Sequence, residues 1–375
     1  MRRLLLRAAA ALVLSAAFAS QAAAAPPRVD ARAWIVANAT TGEVLAQHHS
    51  RQRIPIASIT KLMTVIVALQ HLKQSDTVTV YPRAARVGES RIPLSPGQRI
   101  GVRDLLAGAL IQSANDAADA LADATAGGDQ ATFIGWMNDK TAKLDLRDSH
   151  FVRPDGLDAP GHLSSARDVL VLARRAMRIP IVRRLVAEQT ATIADGTVLH
   201  TWNDLLGIFP GLIGVKTGHT DDAGWCEVAA AKRPGYTIYA VILGSPTRVV
   251  RNTGLRQLLA WGVARYRSAT LVARRAYGQA ALGYGRRPVP LVATRPLRRL
   301  VHADRPLVRR VVAAAAASLP VRSGQRLGRV EVWAGRTRLG TRPLVAARAV
   351  RRPGLVGRLR WYGTRTLHHL AGIFS

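Results

Sequence analysis

The chain has 375 residues, 48% of them hydrophobic, which is enough for two folded units and excludes a mostly disordered polypeptide. Its formal charge of +31 resembles that of a nucleic-acid binder, but beyond Arg267 the only acidic residues are Asp304 and Glu331, so the excess sits in the last third. Arginine-rich, lysine-poor usage contributes to that excess as well.

At the N-terminus, Arg2 and Arg3 precede an apolar stretch from Leu4 to about Ala19, followed by small residues from Ser20 to Ala25 and then Pro26 and Pro27. This three-part pattern is that of a secretory leader cleaved near Ala25; the apolar part is too short and alanine-rich for a stable membrane span. On an exported chain, the basic C-terminal region suits anionic lipid headgroups or wall polymers better than nucleic acid. Cys226 is the only cysteine, which leaves no disulfide framework and no thiolate metal cluster, and its apolar surroundings make it a packed residue.

AWIVANA and EVLAQ on either side of Gly42 predict a hairpin, and a helix begins near Ser58. Further helices are expected at VRDLLAGALI, NDAADALADATA, ATFIGWMNDKTAKL and SARDVLVLARRAM. Strands follow at GLIGVKTG, CEVAAAK and YTIYAVILG, then a closing helix at RNTGLRQLLAWGVARY. Strands at both ends with helices between them predict one α/β (α+β) domain, 28–266, whose sheet is completed by the returning chain.

An Arg, Gly and Pro-rich linker is expected from about Arg267 to Pro290. VEVWAG, RTRLG and TRPLVAARAV then read as antiparallel strands of a small all-β domain, 280–352. In the tail, 355–375, Leu355, Leu359, Tyr362, Leu370 and Phe374 recur at helical spacing. Arg358, Arg365, His368 and His369 fall mostly elsewhere on the wheel, with Trp361 nearby, as in a basic amphipathic helix lying in a membrane interface. The alternative is a helix docked on the β-domain.

In SITK, Ser58 and Lys61 share one helix face, so an unprotonated Lys61 amine is placed to take the Ser58 proton, a task no arginine performs. A helix cap followed by a lysine explains the same four residues. The chain's lysines are Lys61, Lys73, Lys140, Lys143, Lys216 and Lys232, so lysine was kept at Lys61 and Lys216 where arginine is the rule. Ser113 and Asn115 stand at the junction of two helical patterns, where a loop displays a hydroxyl and a carboxamide together, or where either residue simply caps a helix. Lys216, Thr217, Gly218 and His219 interrupt a strand pattern; the glycine admits a close substrate backbone and the lysine offers charge to a carboxylate.

Each piece is weak alone, but the ordered set S-x-x-K, S-x-N, K-T-G resembles that of the penicillin-binding proteins and class A β-lactamases. The flanks PIASITKLMT, VRDLLAGALIQSANDAADALAD, GLDAPGHLSSARD and GVKTGHTDDAGW resemble the D-alanyl-D-alanine carboxypeptidases among the low-molecular-mass penicillin-binding proteins, from about Ala33 to Tyr266 and more loosely beyond. The resemblance implies a transpeptidase-like fold, a sheet with a helical lobe, and a serine peptidase that needs no cofactor or metal. It would remove the terminal D-alanine of peptidoglycan stem pentapeptides and be acylated by β-lactams. It further implies Ser58 as nucleophile, Lys61 as its proton acceptor, Ser113 and Asn115 as proton relay and amide holder, and Lys216 and Thr217 as carboxylate site. Backbone N–H groups of Ser58 and His219 would form the oxyanion hole. Location in the periplasm or cell envelope, on the outer face of the inner membrane, follows from leader and tail together. Asp155 stands where the family often has histidine, which puts substrate contacts on that wall in doubt.

Other readings have specific weaknesses. A class A β-lactamase needs a deacylating glutamate, and the only glutamate between Asn115 and Lys216, Glu188, lacks the E-x-x-x-N surroundings. A D,D-endopeptidase cutting crosslinks uses the same residues and is poorly separated by sequence. His150, Asp158 and His162 lack the ligand spacing of a zinc peptidase. A silent wall-binding protein would retain motifs without turnover.

Overall fold

The computed structural model describes residues 11–17 and 25–371. The remainder of the expected leader, and Phe374 of the expected tail, lie outside the described residues. The chain divides into two compact units, one spanning Ala25–Ala264 and one starting at Arg265.

In the first unit, strands β1 (Ala33–Asn38), β2 (Glu43–His48), β3 (Leu212–Thr220), β4 (Gly224–Arg233) and β5 (Tyr236–Ser245) form an antiparallel sheet in the order β2-β1-β5-β4-β3. The N-terminal hairpin is therefore joined to the returning chain, with Ala240 opposite Val36 in the β5–β1 register. Because side chains alternate along a strand, Ile35, Ala37, Val241 and Leu243 enter the core shared with the helices. Val36, Ile238 and Ile242 point instead to the opposite face. There they meet helix α7 (Arg248–Ala264) at Gly254 and Gly262, where a Cβ would come within 2.8 Å of Ile238 and 3.3 Å of Ile242.

The helical lobe is built around α1 (Lys61–His71). Every position from Lys61 to Ala68 is buried, so this is a helix surrounded on all sides by protein. Against it pack α3 (Asn115–Thr125), α4 (Gln130–Lys143) and α5 (Ala166–Ala176), while α2 (Val102–Ala107) packs on α3 and on α6 (Pro180–Leu185). Asp129 and Ser165 cap α4 and α5 by accepting from the first-turn N–H groups. The stretch VRDLLAGALI is not one regular helix: α2 stops at Ala107 and a π-turn, Gly108–Gln112, ends with Ser113 in the left-handed region at φ 64°.

The second unit holds a seven-stranded sheet. In spatial order its strands are Ala11–Ala17, Leu307–Ala314, Arg326–Ala334, Thr337–Ala346, Val289–Ala293, Ala276–Leu282 and Ala316–Ala317. A two-stranded ribbon pairs Tyr266–Val272 with Leu297–His302. Much of the stretch expected as a linker, about Arg267 to Pro290, is thus strand. Its arginines lie on exposed positions while Leu271, Val272, Ala280 and Val289 pack inward, and that thin alternation is what the composition obscured. Ala11–Ala17, read as part of a leader, is extended and pairs antiparallel with Leu307–Ala314.

Helix α8 (Leu355–Ala371) exposes Leu355, Val356, Leu359 and Tyr362. Trp361 and Tyr362 make edge-on contacts with Tyr284 at 5.3 and 6.1 Å between ring centroids. Among the described residues no helix is long and apolar enough to cross a membrane.

Candidate active site

Ser58 lies in a 3₁₀ turn, Ala57–Thr60, that runs directly into α1 and keeps Ser58 and Lys61 one turn apart. Two glycines let the backbone close around this turn. A Cβ on Gly156, at φ +86°, would lie 2.2 Å from the Ala57 carbonyl oxygen; one on Gly218 would lie 2.9 Å from Ile56 O and 3.0 Å from Ser58 N. Ala57 itself has φ 50°, a left-handed conformation that costs a non-glycine residue energy and is held here by its buried surroundings.

Lys61 is fully buried, and its Nζ donates to Ser58 Oγ at 2.7 Å, to Asn115 Oδ1 at 2.7 Å and to the Asp155 carbonyl at 2.6 Å. Three fixed acceptors aim the amine at the serine oxygen. Burial lowers Lys61 to about 8, and the negative charges of Asp155, Asp119, Glu89 and Asp116 oppose that fall. A pKa of about 8 leaves roughly a tenth of Lys61 unprotonated at pH 7, against a negligible fraction for an exposed lysine.

Ser113 and Asn115 reach the same place from the end of the π-turn and the start of α3. The Ser113 Oγ accepts from Lys216 Nζ at 2.7 Å, and Asn115 Nδ2 donates to the Gly88 carbonyl at 2.9 Å, which fixes which way its amide points. Lys216 is buried on β3 and also donates to the Thr217 carbonyl at 2.9 Å. Burial pulls its pKa well below the usual lysine value, Lys61 and Arg251 lower it further, and Glu227 raises it.

Above the two lysines a cavity of about 310 Å³ is lined by Ser58, Ser113, Asn115, Thr217, Gly218 and His219, all singled out from sequence. The structure therefore brings all eight candidate residues together, with Lys61 and Lys216 beneath the floor. The same cavity is walled by Glu89, Ser90, Trp202, Trp225, Arg248 and Arg251, none of which sequence reasoning named. Arg248 and Arg251 open α7 and are anchored by Asp204, Arg248 by donating from Nε and Nη2 to its two oxygens and Arg251 from Nη2 at 3.1 Å. In a chain that writes nearly all its positive charge as arginine, neither carried a signal of its own.

Asp155 does not line this cavity. Its carboxylate is turned to Arg153, accepting from Nε at 2.9 Å and Nη2 at 2.8 Å, and only its backbone carbonyl touches the site, through Lys61. Among the candidate residues, Asp155 thus meets only Lys61, through its carbonyl. His150, Asp158 and His162 are engaged separately, His150 with the Gly161 carbonyl, Asp158 with Thr220 and His162 with Thr60.

Such a site is equipped for acyl transfer: a half-buried hydroxyl, an amine of lowered pKa on it, a second hydroxyl on a second buried amine, and cationic groups on one wall. Comparison with known proteins points the same way. The family described as D-alanyl-D-alanine carboxypeptidase matches residues 20–247. The D-alanyl-D-alanine carboxypeptidase DacD of Salmonella typhimurium is 33% identical over 94% of this chain and 95% of its own. Penicillin-binding protein 6B of Escherichia coli superposes with a TM-score of 0.64 at 29% identity, covering 88% of this chain and 99% of that one. A penicillin-binding protein of Listeria monocytogenes, solved with ampicillin bound, gives 0.58 at 31% identity over 63% of this chain and 98% of its own. The chain belongs to the D-alanyl-D-alanine carboxypeptidase family of serine peptidases.

Proposed function

We propose that the protein removes the terminal D-alanine of peptidoglycan stem pentapeptides through an acyl-enzyme on Ser58, and that β-lactams acylate the same serine. The observation that carries this reading is the 2.7 Å contact between the buried Lys61 amine and Ser58 Oγ. Unprotonated Lys61 takes the hydroxyl proton as Oγ bonds to the carbonyl carbon of the D-Ala-D-Ala amide. The oxygen that becomes negative is held by the N–H groups of Ser58 and His219, donors that gain most when that charge develops. Collapse breaks the C–N bond, the proton passes from Lys61 through Ser113 to the leaving nitrogen, and Asn115 holds the substrate amide. Water, activated by the same lysine, then frees the shortened peptide.

Selectivity for a chain end lies on the cationic wall. The free carboxylate of the terminal D-alanine meets the Thr217 hydroxyl, the charge of Lys216 and the guanidinium of Arg251, which lines the cavity. Incubation with a pentapeptide ending in D-Ala-D-Ala is expected to release D-alanine and leave a tetrapeptide; a peptide amidated at its C-terminus is expected to be a poor substrate.

Close approach of β3 to the nucleophile turn yields a further expectation. In Gly218→Val the new side chain meets Ile56 O, Ala57 Cβ and Ser58 N at about 3 Å, so strand and turn separate. Acylation by a penicillin is expected to slow about 100-fold, the cost of a displacement near 1 Å, which stopped-flow quenching measures directly.

Export and peripheral attachment to a membrane complete the proposed setting. Leu355, Val356, Leu359 and Tyr362 form an exposed apolar stripe on α8, beside Arg358 and Arg360, which suits an interfacial helix on anionic lipid. Deleting residues 355–375 is expected to move the protein from the membrane pellet to the soluble fraction while D-alanine release persists; unchanged fractionation contradicts the anchor.

A further inference from the structure

Among the described residues that line the cavity one is acidic, Glu89, on the loop between Val87 and Ile92. Asn115 holds this loop on both sides of the glutamate, donating from Nδ2 to the Gly88 carbonyl at 2.9 Å and from its backbone N–H to the Ser90 carbonyl at 2.7 Å. Ser90 Oγ adds a bond to the Gln112 carbonyl at 2.9 Å. Glu89 takes no part in this fastening: it is exposed and makes no hydrogen bond or ion pair among the described residues. Its backbone is left-handed at φ 63°, a conformation that glycine adopts freely and glutamate only at a cost. The loop thus presents a carboxylate to the cavity although neither its fastening nor its backbone requires one.

That charge is also unanswered within the site. Arg248 and Arg251, the arginines of the same lining, are tied to Asp204. Glu89 favours the proton on Lys61, so the base gains nothing from it. What remains is a fixed acceptor open to a cation that arrives from outside.

The proposed reaction sets which part of the substrate passes it. With the terminal carboxylate at Thr217 and Arg251 and the scissile carbonyl at Ser58, the acyl part of the peptide leaves on the side of Asn115, which holds its amide. Gly88 and Ser90 are bonded to that same asparagine, so Glu89 flanks the path of the residue ahead of D-Ala-D-Ala. Resting on that reaction, we propose that Glu89 is a specificity-determining residue that receives a side-chain ammonium on this stem-peptide residue. The preferred substrate is then a stem peptide with a free amine at that position; a neutral side chain there reacts by the same chemistry without this contact.

The test compares kcat/KM for D-alanine release from N-acetylated pentapeptides that differ only at that position, with lysine, Nε-acetyl-lysine or norleucine, on wild type, Glu89→Gln and Glu89→Lys. Wild type is expected to favour the lysine peptide about fivefold over both neutral ones, the size of a solvent-exposed ion pair, and to lose that preference as salt is raised. In Glu89→Gln the three peptides converge, and in Glu89→Lys the lysine peptide becomes the poorest. Acetyl-lysine is longer than lysine and norleucine shorter, so a common loss reports the charge and not the length. Glutamine keeps the shape of glutamate, and unfolding midpoints with penicillin burst titration give the folded, active fraction. Equal use of the three peptides by wild type overturns the proposal while D-alanine release still supports the reaction. So does a Glu89→Gln variant that keeps the lysine preference or loses all three activities by one factor. Absence of D-alanine release from every peptide overturns the reaction reading, and this inference with it.

Discussion

In Lys61→Gln, acylation by a penicillin and release of D-alanine fall by about 10³-fold or more, and the residual rate no longer climbs as pH rises through 8. General-base removal alone accounts for losses of about 10²–10⁴, and here the base is also the group that aims the serine. Glutamine retains hydrogen bonding toward Asn115 and the Asp155 carbonyl, so the fold is preserved while the titrating amine is lost. The sign of the pH effect follows from burial, which lowers the wild-type lysine to about 8. Below that pH the amine is mostly protonated and unable to accept the serine proton; above it the free base dominates, so the wild-type rate rises through this interval. A rapid-quench series from pH 6 to 9 on both proteins measures it, and a Lys61→Gln profile parallel to wild type would assign the titration to another group.

Ser58→Ala has the larger effect on chemistry and a smaller one on structure. Covalent labelling is lost altogether because no oxygen remains to form the ester. Lys61 keeps two of its three acceptors, and the half-buried site loses one hydroxyl, so stability changes by no more than about 1 kcal/mol. Thermal unfolding with and without a β-lactam checks both halves. The variant is expected to unfold close to the wild type and to show no covalent adduct, even at concentrations where reversible binding persists.

What was legible in the sequence was local or repetitive. Three residues' spacing put Ser58 and Lys61 on one face, the alternation in GLIGVKTG and YTIYAVILG marked two sheet strands, and the 3.6-residue rhythm marked α1, α4, α5 and α7. The order of three short motifs, together with their flanks, then pointed to one family. Long-range closure was not legible: Lys61 meets Asn115 and Asp155 across 54 and 94 residues, and Lys216 meets Ser113 across 103. Neither the π-turn that delivers Ser113 nor the left-handed Ala57 is written in composition, because both are imposed by packing. Arg248 and Arg251 were missed for a related reason: each is an ordinary residue of an ordinary helix until β4 and α7 are laid together. The first strands of the second unit escaped because arginines and glycines there look like a linker until Leu271, Val272 and Ala280 are seen buried.

The central claim is that Ser58 is a nucleophile activated by Lys61, and the measurement that tests it most directly is the intact mass of the folded protein after brief exposure to a penicillin, followed by peptide mapping. The expected result is one adduct of the full mass of the penicillin per chain, carried by the peptide that contains Ser58. A folded protein that gains no mass, or an adduct mapped to any other residue, contradicts it.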